Sequence, residues 1–156
     1  MKEQLPLSMH GAAKAEVRTQ FAALCFRVKN GKLRLLLVTS RRSGRWIVPK
    51  GWPMDGKTPH EAAVQEAWEE GGVTGKPAGG CLGVYSYRKD RRGKDDLSCL
   101  AMLYPVKVTS LAKVYPEAKE RKRRWVSRKK AARLVAEPEL ARLILEFDPR
   151  EDKRAS

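Results

Sequence analysis

From Phe21 onward, short apolar runs alternate with turn-forming residues. "FAALCFRVKNGKLRLLLVTSRR" places two such runs on either side of Asn30-Gly31. That dipeptide tolerates positive φ at both central positions of a tight turn, so the stretch predicts a β-hairpin. "RWIVPKGWP" reads as a short apolar strand entering a Pro/Gly loop. The next segment, "TPHEAAVQEAWEEGG", predicts a helix with both ends marked. Thr58 suits the N-cap, Pro59 fits the first turn, and Glu61 completes a T-x-x-E capping box. Gly71-Gly72 supplies the stop.

The second half continues the pattern. "CLGVYSYRK" alternates apolar and polar positions, and "DRRGKDD" reads as a charged turn. "LSCLAMLYPVKV" is long and mostly apolar, as a central, buried strand should be. "KRRWVS" predicts a further short strand. Ser127 can cap "RKKAARLVA", and "EPELARLILEFD" predicts a last helix with Leu140, Leu143 and Ile144 on one face. No internal repeat or low-complexity segment is visible. The pattern predicts the α/β class, a mixed β-sheet with helices on its faces. Residues 1–17 are expected to be a flexible N-terminal segment, 18–148 a single domain, and 149–156 a fraying tail.

Composition narrows the partners. A chain of 156 residues can bury a real core as one domain. Its 33 Lys and Arg against 18 Asp and Glu leave a formal net charge of +15. Such a field attracts nucleic acid, phosphorylated small molecules or anionic membrane, and charge alone does not choose among them. Cys25, Cys81 and Cys99 are odd in number and far apart, with no CxxC, so neither a zinc site nor a disulfide framework is indicated. They are expected to be reduced, buried thiols of a cytoplasmic protein. No apolar stretch is long enough to span a membrane, and the first twenty residues lack the continuous apolar region of a signal peptide.

The helix carries the chemistry. Glu66, Glu69 and Glu70 stand at i, i+3 and i+4, within an arc of about 100°. Like charges at that spacing repel by roughly 0.2–0.5 kcal/mol per pair even in solvent. A merely solvated face should carry mixed charge, yet no Lys or Arg lies on this helix. The neighbours of the carboxylates are Ala62, Ala63 and Ala67, small residues that let a helix approach another backbone closely. Carboxylates on such a helix need partners, and clustered oxygen donors suit hard Mg²⁺ or Mn²⁺.

"GWPMDGKTPHEAAVQEAWEEGGV", residues 51–73, resembles the Nudix box, G-x5-E-x7-R-E-U-x-E-E-x-G-U with U apolar. Gly51, Glu66, Ala67, Glu69, Glu70, Gly72 and Val73 fall in register. Two positions depart: Lys57 replaces the first Glu, and Gln65 replaces the Arg. In the family those two commonly form a structural ion pair. Here Lys57 is expected to donate to the Gln65 amide oxygen as a rebuilt brace. "AALCFR", "VTSRR", "RWIVPKG" and "RKRRWVS" extend the resemblance to the diphosphoinositol-polyphosphate and diadenosine-polyphosphate hydrolase branch, over most of residues 18 to 135.

The resemblance implies a Nudix fold with its mixed sheet sandwiched between helices. It implies Mg²⁺, with Mn²⁺ able to substitute, held by Glu66, Glu70 and the backbone carbonyl of Lys50. Glu69 would be the general base, although the glutamates of this family can trade roles. Substrate phosphates would meet Arg18, Ser40, Arg41, Arg88, Lys89 and Arg121, for which solvated strand ends are the plain alternative. Lys50-Gly51 is no P-loop, since no G-x4-GK[ST] opens a helix. Trp52 and Tyr87 are candidates for contact with a ring, whereas Trp46 and Trp125 read as core. His10 and His60 are isolated, and His60 is expected to be exposed. The implied reaction is cleavage of phosphoanhydride bonds in an anionic small molecule. Diadenosine polyphosphates rank first and diphosphoinositol polyphosphates second. An RNA 5′-end pyrophosphohydrolase and a noncatalytic Nudix domain binding RNA or a nucleotide signal are the alternatives, and "RKRR" at 121–124 is a candidate RNA contact. No membrane partner is expected.

Overall fold

The computed structural model describes residues 17–89 and 96–151. The N-terminal segment with His10, most of the "DRRGKDD" turn and the end of the tail lie outside the described residues.

Two long strands form the spine. β1 (Val17–Lys29) turns through Asn30 and Gly31, with φ of 54° and 75°, into β2 (Lys32–Thr39). Their register, Cys25 opposite Leu36 and Lys29 opposite Lys32, is that of the expected hairpin. The apolar run after residue 45 yields only two short strands, β3 (Trp46–Ile47) on β2 and β4 (Lys50–Gly51) on β1. Helix α1 (Pro59–Gly71) follows, with the capping box of Thr58 and Glu61 formed in both directions. β5 (Val73–Pro77) and β6 (Gly83–Lys89) both pair antiparallel with β7 (Leu97–Leu111), which itself runs parallel to β1. β7 is therefore central, as its composition predicts. β8 (Arg123–Val126) pairs with β2, and α2 (Arg128–Leu134) and α3 (Pro138–Glu146) close the fold.

Strand alternation sorts the core into two layers. Ala22, Leu24 and Phe26 of β1 face α2 and α3 with Leu35, Leu37, Leu103, Leu140 and Ile144. Phe21, Ala23 and Cys25 face α1, against Ala62, Ala63 and Ala67. The three alanines are wholly buried, so α1 lies close on the sheet. Each fully buried Leu contributes roughly 1.5–3 kcal/mol by leaving water. The result is a mixed sheet between helices.

Several expectations need correction. Cys25 and Cys99 are buried and free, but Cys81 is exposed. Burial pushes the Cys25 thiol up to about 12, which makes it inert. His60 is half-buried, its ring 4.6 Å from that of Tyr104. β5 was not legible in "VTGKP". Pro149–Glu151, placed in the tail by sequence, form one 3-10 turn anchored where Arg150 meets Asp148. No helix among the described residues is long and apolar enough to cross a membrane.

Gly72 ends α1 in the left-handed region at φ 66°, and a Cβ there would lie 2.5 Å from Tyr115 Cδ1 and 2.7 Å from Arg123 Nη1. Arg123 in turn donates to the Gly71 carbonyl at 2.8 Å, satisfying the helix end. Gly72→Ala is expected to cost about 2–3 kcal/mol, from left-handed strain plus the displaced cap. Urea unfolding should show it as a lower midpoint, and an unchanged midpoint would contradict this role for the glycine.

Candidate functional site

One helical turn separates Glu66 from Glu70, and both are buried, at 8% and 5% exposure. Two neighbours put them there. The wholly buried alanines bring α1 against the sheet, and Gly51 brings the β4 backbone against the Glu66 carboxylate. A Cβ on Gly51 would stand 2.0 Å from Glu66 Oε2, inside any permitted contact. The loop holding Gly51 is tied to β1 by the Ala23 N–H, which donates to Pro49 O at 2.9 Å, and by the Phe21–Gly51 and Ala22–Lys50 pairs.

Burial is the first cause that holds both carboxyls above the usual carboxylate range. The Glu70 charge adds to the effect on Glu66, whereas Arg121 and then Lys50 pull Glu70 back down. The cation that the helix lacks thus comes from elsewhere. Arg121 Nη2 lies 3.6 Å from Glu70 Oε2, and its side chain is only 8% exposed. Its Nε donates to Glu117 Oε1 at 2.7 Å and its Nη1 to Thr39 O at 3.0 Å. The Glu117 N–H donates to Glu69 O at 3.0 Å, which fastens this segment to the end of α1.

One acceptor is left over. Among the described residues, Glu70 Oε1 is buried and accepts no hydrogen bond. An orphaned, buried carboxylate oxygen beside a second raised carboxyl is an electrostatic defect worth more than a kcal/mol or so. A divalent cation would repair it. The donors at hand, the carboxylate oxygens of Glu66 and Glu70, are the hard oxygen type that such a cation takes.

Glu69 stands apart from this pair. Its Oε2 accepts from Gln65 Nε2 at 2.8 Å, so among the described residues no three acidic or other metal-ligating side chains converge on one point. The same bond corrects the expected brace: Gln65 turns to Glu69, and Lys57 is exposed on the loop.

The buried pair opens on a cleft of about 170 Å³. Among the described residues, seven basic side chains line it against the carboxylate of Glu70, which gives it a strongly positive potential. Ser40, Arg41, Arg88, Lys89 and Arg121 are all brought to this lining, as is Lys50; Arg18 is not. Arg18 sits on β1 opposite Cys99 of β7. The gathered residues differ in freedom. Arg121 is committed to protein partners on three sides. The Ser40 hydroxyl accepts from Arg45 N at 3.0 Å and meets Ser43 Oγ at 2.8 Å, so it braces its own loop. Arg88 lies 3.6 Å from Asp96, with its side chain 68% exposed. Arg41 is 56% exposed and pairs with Glu120 at 3.2 Å, a contact of the kind that is worth at most about 1 kcal/mol.

Lys50 Nζ sits 4.6 Å above the Tyr87 ring, and burial lowers its ammonium to about 8 against the pull of Glu70 and Glu137. The Tyr87 hydroxyl donates to Gln20 Oε1. Trp52 is exposed and lies off the cleft lining, while Trp46 and Trp125 pack against the core. In "RKRR", Arg121 and Arg123 are structural, and only Lys122 and Arg124 face solvent.

Sequence reading missed Gln20, Arg42, Ser43, Arg45 and Glu117. Gln20 had a signal, as a polar residue before an apolar run on a buried strand. Glu117 had none, because its partners lie on distant segments.

A NUDIX domain family model matches residues 18–147. The chain is 38% identical over 106 residues to diphosphoinositol polyphosphate phosphohydrolase 3-beta of Homo sapiens, covering 67% of this chain and 60% of that protein. It is 35% identical over 119 residues to Nudix hydrolase 12, mitochondrial, of Arabidopsis thaliana, covering 74% of this chain and 59% of that protein. The chain thus spans about three-fifths of the length of the curated relatives it matches, 60% and 59%. Among solved structures, a C. elegans Ap4A hydrolase binary complex is similar in fold, at a TM-score of 0.61 and 21% identity over 83% of this chain and 94% of that one. A MutT protein from Methanosarcina mazei Go1 matches at a TM-score of 0.60 and 25% identity, over 88% of this chain and 96% of that one. With the glutamate register, the close approach at Gly51 and the sheet between helices all in place, the chain belongs to the Nudix family.

Proposed function

We propose that this chain is a divalent-metal-dependent hydrolase of phosphoanhydride bonds, and that its substrates are compact, densely charged polyphosphates. The observation that carries the reading is the buried Glu66–Glu70 pair, with its unpartnered oxygen, opening on a cleft with seven cations. Bound Mg²⁺, or Mn²⁺ in its place, supplies Lewis acidity toward phosphate oxygens and water. Glu66, Glu70 and the Lys50 carbonyl would hold it. Glu69, oriented by the Gln65 amide, takes the proton of the attacking water. Water oxygen adds to phosphorus, the bridging P–O bond breaks, and its electron pair leaves with the departing phosphate. Arg41, Arg88 and Lys89 grip the phosphates and offset the charge that builds on them. Arg121 holds Glu70 in place and adds positive potential from behind.

The order of substrates reverses from the sequence reading. Among the described lining residues Tyr87 is the one aromatic ring, and Lys50 over its face and Gln20 on its hydroxyl already engage it, which favours charge over base stacking as the basis of recognition. Cations dominate it instead. Diphosphoinositol polyphosphates therefore come first, in line with the names of the curated relatives, and diadenosine polyphosphates second. The test is Mg²⁺-dependent phosphate release from a panel of a diphosphoinositol polyphosphate, a diadenosine polyphosphate and a 5′-triphosphate RNA oligomer. Turnover of none of them would end the hydrolase reading, and preference for the RNA would end the small-molecule one.

Arg41 offers a sharper measurement. A phosphate can displace its exposed Glu120 partner at little cost. Arg41→Ala should lower kcat/KM by roughly 1.5–3 kcal/mol, the range for a hydrogen bond to a charged group. High salt should shrink the difference by screening. Equal kcat/KM for wild type and variant at low salt would remove Arg41 from the substrate.

A further inference from the structure

A second basic depression, of about 200 Å³, lies at the far end of β2 from the cleft and shares no lining residue with it. β2 spans Lys32 to Thr39, so the two sites stand roughly 20–25 Å apart at about 3.3 Å per residue. Lys32, Arg34, Ser127, Arg128, Lys129 and Arg150 line it, with no acid among them.

Its floor is built. Asp148, only 13% exposed, accepts from Arg150 Nε at 2.8 Å and Nη2 at 2.9 Å, and lies 3.6 Å from Arg128 Nη1. The far sides are fastened as well, since Arg150 Nη1 donates to Gly31 O and Arg128 Nη1 to Phe147 O, each at 2.9 Å. Asp148 stays ionised, because the Arg150 hydrogen bond holds its carboxyl down at about 2. One carboxylate thus fixes two guanidinium planes, and Lys32, Arg34 and Lys129 add three more charges around them.

Fold stability accounts for Arg128 and Arg150, which Asp148 and two main-chain carbonyls hold, but not for Lys32, Arg34 and Lys129 beside them. Among the described residues five cations of the lining thus face one carboxylate, and like charges so gathered repel. The first turn of α2 carries Arg128, Lys129 and Lys130 with no acid, the reverse of the charge that favours a helix start. Among the described residues no aromatic side chain lines the depression, so they offer bases nothing to stack on. Arg150 spends its fork on Asp148 and Gly31 O, so what the site offers is fixed positive charge beside the exposed ammonium groups of Lys32 and Lys129, a set suited to tetrahedral oxyanions. We propose that this depression is a second, non-catalytic anion site that takes the phosphate groups of a compact oligophosphate. The site stands independently of the hydrolase reading, because no residue of the cleft takes part.

Calorimetry of the full chain with inorganic tripolyphosphate, in metal-free buffer, tests it. Wild type should show two binding events. Lys32→Ala with Lys129→Ala should weaken one of them at least tenfold and leave the other, which Arg41→Ala should weaken in turn. Lys76→Ala with Lys107→Ala removes the same net charge from exposed positions on β5 and β7, and should leave both events in place. All four lysines are exposed, so these variants should melt as wild type does. A single event lost only through Arg41→Ala would overturn the proposal, as would equal losses in the two lysine pairs. A single-stranded oligonucleotide of matched phosphate count should bind this site more weakly than tripolyphosphate. Tighter binding, abolished by the Lys32 and Lys129 changes, would overturn the compact-oligophosphate assignment in favour of a nucleic-acid surface.

Discussion

Glu70→Gln should abolish most turnover while stabilising the metal-free protein. The kinetic half follows from the donor set. Glu70 contributes one of two buried carboxylates, and an amide in its place is a poor ligand for a hard cation. A fall in kcat/KM on the order of 10³-fold, about 4 kcal/mol in barrier, is expected, with much weaker Mg²⁺ binding by calorimetry. The stability half follows from the raised carboxyls. A group that keeps its proton to higher pH when folded makes the native state the better proton binder. Stability of the metal-free protein should therefore be highest near and below the ordinary carboxylate value of 4.5 and fall as pH rises through the raised range. Glu70→Gln removes one of the two charges that resist burial together, and its amide can donate toward Glu66. The variant should gain on the order of 1–3 kcal/mol over wild type in metal-free buffer at pH 8, and the gain should vanish near pH 5. Saturating Mg²⁺ should stabilise wild type and not the variant. Unchanged Mg²⁺ affinity together with unchanged turnover would remove Glu70 from the site.

That pairing of lost function with gained stability explains a puzzle posed by the helix. Three glutamates without a cation among them looked unstable, and the buried pair remains so, because Arg121 offsets Glu70 from one side and leaves Oε1 without a partner. What the sequence showed was whatever a local rule governs. The Asn30-Gly31 turn, the Thr58 capping box, the Gly72 stop and the Ser127 cap each depend on a few consecutive residues, and each formed as expected. The close approach of α1 was legible too, through Ala62, Ala63 and Ala67. Contacts between distant segments were not. Arg121 reads as one of four consecutive cations, yet the segment just before β8 delivers it to Thr39, Glu117 and Glu70. β5 hid in "VTGKP" because its pairing with β7, bulged between Thr74 and Gly75, supplies what its own residues lack. Gln65 had two possible partners by spacing, and the i+4 glutamate on its own helix won over a lysine on a loop.

Gly51→Ala should leave the fold intact and disable the site. The Cβ would meet Glu66 at Oε2 2.0 Å, Cδ 2.2 Å and Oε1 2.7 Å away, all atoms at the end of one side chain. The three nearest atoms all belong to that flexible side chain, so the relief is a swing of the Glu66 carboxylate by more than an ångström. The pairing of β4 with β1 involves main-chain atoms and survives. The melting temperature should therefore move by only a few degrees, the shift of about 1 kcal/mol in a domain of this size. Activity should fall much further, since a misplacement of about 1 Å can cost on the order of 10²-fold. The route of the effect can be isolated by a double-mutant cycle with Glu66→Gln. If Gly51 matters only because it leaves room for that carboxylate, the double variant should be no slower than Glu66→Gln alone. Additive losses would mean that the methyl group acts elsewhere, on the Lys50 carbonyl or the course of the loop. Full activity in Gly51→Ala would show that the position of Glu66 against β4 is irrelevant to the chemistry.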